Sequence, residues 1–380
     1  MNDCLIVGSG VIGLSLAWEL AAQGIRVRLV ERGRPGREAS WAGAGILPPA
    51  VRRADDHPIE QLAGLAHQLH PQWAAQLREE TGIDNGYHRC GGLYVARDPA
   101  QAAELRRELE SWRGRGITVE EIPSTKLGDA EPAVRREGEH AVAAAWDVPH
   151  EAQIRNPRHL KALVEACLAR GVMIDEGVTV EDFDISAGRV RSVRTSSGAI
   201  EAGAVCVTAG CWTRLLAERM GRSLAVMPIR GQMVLLACDR RPLRRIVHEG
   251  SRYIVPRRDG RVLIGSTEEN AGFDRRTTAA GVAGLLELAT SLVPRLAGGE
   301  VERTWAGLRP GTLDGLPYLG RVPDVENAFV AAGHFRSGLQ LSTATAAVMG
   351  QLIRGEATEI DLSPFRLDRQ HHQAATGAAP

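Results

Sequence analysis

The sequence predicts a mixed α/β fold of two interleaved domains, one built on a parallel sheet and one on a discontinuous mixed or antiparallel sheet. Three observations predict it. The chain opens on a strand, a glycine-rich turn, a helix and a second strand within about 30 residues. Short buried strands return in the middle (AVCVTAG, 204–210) and near the end (NAFVAAG, 327–333). Between them lie stretches, notably 225–272, rich in strands and hairpin signals. A chain of 380 residues allows two to three domains, and 44% apolar with 24% charged residues is a globular composition.

The opening unit carries the clearest chemistry. Cys4 to Val7 reads as a buried strand, followed at once by Gly8-Ser9-Gly10-Val11-Ile12-Gly13. Gly8 allows the tight turn, Gly10 lets backbone approach a pyrophosphate, and Gly13 permits close packing of helix on sheet. Leu14, Leu16, Ala17 and Leu20 then recur at helical spacing, and Val27 to Val30 is a second strand ending at Glu31. The helix N-terminus offers free N–H groups to phosphates, and Glu31, 18 residues past Gly13, can accept from ribose hydroxyls. This is a Rossmann-type dinucleotide site, and the acid disfavours a 2′-phosphate and hence NADP. The small-residue run from Arg32 to Leu47 suits backbone lying along a flat ring system and pyrophosphate, which favours FAD over NAD; a flexible surface loop is the alternative.

The remaining elements follow in order. Residues 58–82, 100–114, 160–169, 278–297 and 341–354 have helical character. Residues 87–97, 140–147, 172–180, 188–194 and 204–210 contain strands, and Arg258-Asp259-Gly260 joins two apolar runs as a hairpin. RTWAGLRPG (303–311) precedes a turn. The expected division is 1–85, 148–224 and 300–368 for the FAD-binding domain, and 86–147 and 225–299 for the substrate-binding domain. The ligand site lies at their junction, and the polar tail 369–380 is expected to fray.

Composition excludes several functions. Lys+Arg and Asp+Glu are both 46, and aromatics are 4%, so nothing points to nucleic acid. Lys126 and Lys161 are the only lysines beside 44 arginines, which disfavours Schiff-base chemistry. The six cysteines form no C-x-x-C pair or zinc spacing, and the 11 histidines no metal motif; no metal is expected, and reduced thiols suggest a cytoplasmic protein. The apolar run 4–18 lacks a basic start and ends at Glu19, so neither signal peptide nor membrane span is expected.

With these residues in view, the chain resembles the D-amino-acid oxidase family of FAD-dependent oxidoreductases from Leu5 to about Arg369. The resemblance rests on GSGVIG (8–13), REASWAGAGIL (37–47), RGQ (230–232), RYIVPRRDGRVLIGST (252–267), WAGLRPGTLDGLPYLG (305–320) and AAGHFRSGLQLSTATA (331–346). It implies non-covalent FAD, since no cysteine follows Cys238 to tether a flavin. It also implies a homo-oligomer and an oxidase of glycine or a small amine such as sarcosine or a small D-amino acid. The amine becomes an imine and oxygen becomes hydrogen peroxide, with a place in thiamin (thiazole) biosynthesis. A dehydrogenase passing electrons to a quinone, or a non-catalytic FAD-binding protein, are the alternatives.

Carried over position by position, the resemblance makes Arg309 the substrate-carboxylate clamp, a task suited to its planar fork. Tyr253 would donate its hydroxyl to the same carboxylate, and the Arg336 carbonyl would accept from the substrate amine. A structural ion pair is the alternative for Arg309, and a solvated strand tyrosine for Tyr253. FAD would touch Gly8, Gly10, Val11, Ile12, Gly13, Glu31, Arg32, Ala39, Ser40, Ala44, Gly45, Ile46 and Val180. The segment His334, Arg336, Ser337, Gly338, Leu339 and Gln340 would present a helix N-terminus to the flavin, favouring its anionic reduced form. Glu268 departs from the apolar residue of some relatives and is a further candidate for substrate binding: facing the pocket it would favour an amine or crowd a larger apolar substrate, and facing solvent is the alternative.

Overall fold

A computed structural model describes residues 2–369. Arg369 is anchored, its guanidinium paired with Asp314 at 2.7 Å; the rest of the tail expected to fray lies outside the described residues.

Six strands form the first sheet, in the order Tyr318–Arg321, Ala328–Ala332, Ala202–Val207, Asn2–Val7, Val27–Glu31 and Met173–Glu176. Neighbours run parallel except Tyr318–Arg321, which is antiparallel to Ala328–Ala332. Parallel strands are covered on both faces and so read as continuous apolar runs. Cys4 and Ile6 pack toward helices Val11–Ala22, Pro58–Thr81, Asn156–Ala169 and Gly338–Arg354, where Trp18 meets Trp73 edge-on at 4.6 Å. Leu5 and Val7 pack on the opposite face, against the meander Val180–Ser186, Arg189–Thr195 and Gly198–Ile200.

Eight strands form the second sheet, in the order Glu300–Thr312, Val226–Ala237, Arg261–Gly265, Arg252–Pro256, Ile246–Glu249, Gly92–Ala96, Ala144–Val148 and Glu120–Ile122. Only Ile246–Glu249 and Gly92–Ala96 run parallel. Helix Ala279–Leu292 seals one core of this sheet, and helix Pro99–Gly114 covers Tyr94 and Trp146. The hairpin at 258–260 is present, with Gly260 at φ +86°.

One segment differs from its sequence reading. Residues 300–312, grouped above with the FAD-binding segments, form a 13-residue strand paired with Val226–Ala237, and the turn expected after Gly311 follows at 313–315. Gly307, Pro310 and Gly311 hide it, because glycine and proline ordinarily punctuate strands. The strand lies at the sheet edge, where a proline without an N–H is tolerated.

Candidate active site

Between the sheets lies a cavity of about 1690 Å³, larger than the roughly 300–1,000 Å³ of an ordinary small-molecule site. One end is built on the first strand–turn–helix. Gly8 has φ +104°, which glycine adopts without strain. A Cβ on Gly13 would stand 2.0 Å from the Gly8 carbonyl oxygen, so the helix reaches the turn only with glycine there. A Cβ on Gly10 would project to within 3.3 Å of Ser40 Oγ, and that oxygen accepts from Val11 N–H at 2.9 Å. Gly8, Gly10, Val11 and Ile12 line the cavity, and the helix has no acidic residue in its first turn. That is the arrangement of an anion site.

Glu31 ends its strand on the cavity wall. Its Oε2 accepts from the Ser9 N–H and hydroxyl, and its Oε1 from Gly33 N–H, each at 2.9 Å. The carboxylate is thus fixed, with lone pairs to spare. Arg32 lies 3.7 Å over the Trp212 ring, and both line the cavity with Val180. Ala39, Ser40, Ala44, Gly45 and Ile46 form another wall. Gly13 supports the turn from behind and is not a lining residue. Asn156, buried on the wall, donates from Nδ2 to the Ser40 carbonyl at 2.8 Å, while its Oδ1 has no partner among the described residues. A buried polar atom without a partner calls for one. Fixed carboxylate, glycine cradle and helix N-terminus fit FAD.

At the other end Tyr253, Arg309 and Arg336 share one wall. Arg309, on strand Glu300–Thr312, donates to the Thr267 carbonyl at 3.2 Å and to Ser266 Oγ at 2.5 Å, while the Tyr253 hydroxyl donates to Met233 Sδ at 3.6 Å. It forms no ion pair with a carboxylate of the described residues; the nearby Glu268 is engaged by Arg336 at 3.6 Å. Burial lowers the Arg309 pKa; Tyr253 and Glu268 oppose that shift and Arg336 adds to it. An arginine so placed stays charged. The result is a fixed cation facing the cavity, with no carboxylate of the described residues in an ion pair with it. Glu268 is half exposed at the margin and is not a lining residue.

Helix Gly338–Arg354 starts on the same wall, lined by His334, Arg336, Ser337, Gly338, Leu339 and Gln340. Its first turn has neither an acidic residue nor a side-chain cap, so its positive end is uncompensated. His334 bonds Thr345 Oγ1 at 3.1 Å, and burial pushes its pKa down to about 3, so it is neutral. No cluster among the described residues has the groups to hold a metal ion, and no described helix is long and apolar enough to cross a membrane.

Sequence reasoning did not single out Asn156, Gly231 or Arg257. Gly231 stood inside the quoted RGQ, but only three dimensions show that its missing side chain makes room for Arg309. Arg257 stood in RYIVPRRDG beside Arg258, and nothing in the sequence separates the buried arginine from the exposed one.

A family model described as FAD dependent oxidoreductase matches residues 3–352. The glycine oxidase of Geobacillus kaustophilus (strain HTA426) is 38% identical over 97% of this chain and 97% of its own. The bifunctional protein ThiO/ThiG of Trichormus variabilis is 32% identical over 99% of this chain and 56% of its own. The crystal structure of glycine oxidase from Geobacillus kaustophilus superposes with a TM-score of 0.92, at 36% identity, covering 98% of this chain and 99% of that one. Match and geometry agree, and the chain belongs to the D-amino-acid oxidase family of FAD-dependent oxidoreductases.

Proposed function

We propose that the chain is an FAD-dependent oxidase of glycine or another small amino acid or amine. It converts the amine to an imine while oxygen is reduced to hydrogen peroxide, and the imine then hydrolyses to an oxoacid and ammonia. The observation that carries this reading is Arg309, a guanidinium on the cavity wall with no carboxylate of the described residues in an ion pair with it. It supplies the planar pair of donors that a substrate carboxylate needs. The Tyr253 hydroxyl, which lines the same cavity and donates to Met233 Sδ, would turn to the same carboxylate. The Arg336 carbonyl would accept from the amine. The glycine oxidase that is 38% identical supports a small substrate.

Gly8, Gly10, Val11, Ile12, Glu31, Arg32, Ala39, Ser40, Ala44, Gly45, Ile46, Val180 and the segment 334–340 would hold the cofactor. FAD supplies the two-electron acceptor and passes the electrons to oxygen. The chain's part is orientation and electrostatics. Arg309 and Tyr253 fix the substrate, and the N-terminus of Gly338–Arg354 places positive charge where negative charge grows. Binding is non-covalent in this reading. Among the described residues Cys211 is the cysteine that lines the cavity, and burial pushes its thiol up to about 12, leaving little thiolate to react. A cytoplasmic homo-oligomer serving thiazole formation in thiamin biosynthesis completes the reading. The bifunctional relative supports coupled use of the product.

Anaerobic mixing with glycine and other small amino acids tests the proposal. Bleaching of the flavin absorbance is expected with at least one of them, and peroxide on admitting air. A flavin that stays yellow with all of them overturns it.

A further inference from the structure

Arg257 is buried, yet it forms no ion pair with a carboxylate of the described residues. Its Nη1 donates to Gln153 Oε1 at 2.7 Å and to the Ile154 carbonyl at 3.1 Å, and its Nη2 to the Ala44 carbonyl at 2.6 Å. Burial lowers its pKa to about 10, which still leaves it charged at neutral pH. An uncompensated buried charge is costly and needs a reason. Arg257 is not itself a lining residue, but Ala44, Gly45 and Ile46 are. The guanidinium therefore sits one peptide behind the cavity wall.

That peptide has a defined direction. The Ala44–Gly45 bond is not among the cis peptides, and in a planar trans peptide the C=O and the following N–H point to opposite sides. The Ala44 carbonyl points back to Arg257, so the Gly45 N–H points away from it, and Gly45 itself lines the cavity. No acceptor for that N–H occurs among the described residues. Gly45 is pinned on its other side too: its carbonyl accepts from Ile154 N–H at 2.8 Å. Its φ is +74°, and a Cβ there would stand 2.0 Å from the Ile154 oxygen.

The geometry points to Arg257 as a positioning residue that holds the Gly45 N–H as a rigid donor to the bound flavin and, from behind the wall, favours its more negative reduced form. This deepens the proposed function, since it rests on FAD lying against Ala44–Ile46. No proton or electron moves through Arg257. It acts by preorganised electrostatics.

The test uses the full chain, loaded with FAD and after FAD removal, and no substrate. Arg257→Met is expected to stay folded by circular dichroism and to bind FAD at least about 10-fold more weakly. Its two-electron potential should fall by about 30 mV or more, a tenfold change in the equilibrium constant. Arg257→Lys should recover part of both effects. A folded Arg257→Met with unchanged affinity and potential overturns the inference. Should that variant fail to fold, the wild-type Gly45 amide resonance decides: it must move on adding FAD, and an unmoved resonance overturns the inference. Amino acids that fail to bleach the flavin would sink the oxidase reading while leaving these outcomes untouched.

Discussion

The guanidinium of Arg309 occupies the space that a side chain at Gly231 would fill: a Cβ there would lie 2.2 Å from Nη2 and 2.4 Å from Cζ. The two residues sit on neighbouring strands, with Gly231 opposite Gly307 and Arg309 opposite Ile229. A methyl group at 231 must push the cation away from Ser266 and Thr267. Misplacing a positioning group by about 1 Å can cost on the order of 100-fold in rate. Gly231→Ala is therefore expected to lower kcat/KM for amino acids by about that factor while leaving FAD content unchanged. Steady-state peroxide production and the flavin spectrum of the purified variant check both halves.

Removing the cation itself should cost as much or more. Truncating one partner of a buried, hydrogen-bonded charge pair costs roughly 2–5 kcal/mol, which is on the order of 30- to several-thousand-fold in kcat/KM. Arg309→Met should show that loss, and Arg309→Lys should stay impaired, because an ammonium keeps the charge but not the two-pronged fork. Both variants should hold FAD as the wild type does, since Glu31 and the glycine turn lie at the other end of the cavity. Unchanged turnover by Arg309→Met would remove the clamp from the mechanism.

At that other end the expected defect is in affinity. Glu31 accepts three hydrogen bonds from Ser9 and Gly33, and a hydrogen bond to a charged group contributes about 1.5–3 kcal/mol. Glu31→Gln gives up the charge and one acceptor oxygen, so FAD should bind roughly 10- to 100-fold more weakly. Titration of the FAD-free protein, followed by flavin fluorescence, measures this. At saturating FAD the KM for substrate should not move.

The two ends were not equally legible in the sequence. The FAD end is local: strand, glycine turn, helix and Glu31 fall within one short stretch, each with its own steric reason. The proposed substrate end is assembled from positions 231, 253, 266, 309 and 336, which only the pairing of distant strands brings together. Arg309 was found through the resemblance of its surrounding motif. Gly231 was not found as its counterpart, because a glycine that makes room for a neighbour leaves no mark of that role in one dimension. Strand Glu300–Thr312 escaped for a related reason: its glycines and proline serve the site and the sheet edge, and by local propensity they carry no strand signal. Asn156 and Arg257 are buried polar groups whose importance lies in what they face, which no periodicity encodes.

Buried histidines set the last expectation, for stability against pH. His70, His159 and His334 are each buried, and burial lowers their pKa values to about 4, 3 and 3 from an ordinary 6.5. The unfolded chain takes up protons at these positions as the pH falls through 6.5, and the folded protein does not until far lower. Stability is therefore complete above about pH 6.5 and falls as the pH drops toward about 3 to 4. Each histidine contributes up to about 1.4 kcal/mol per pH unit within that window. Urea unfolding at pH 7.5, 6.0 and 5.0 should show this decline. His159 provides the control, since it is not a lining residue of the cavity and its ring touches Asn85 rather than the site. His159→Gln is expected to be less stable at pH 7.5, through lost packing, but to lose stability less steeply on acidification. An identical slope in the variant would mean that His159 takes up its proton over the same pH range folded as unfolded, and that its burial does not exclude the charge.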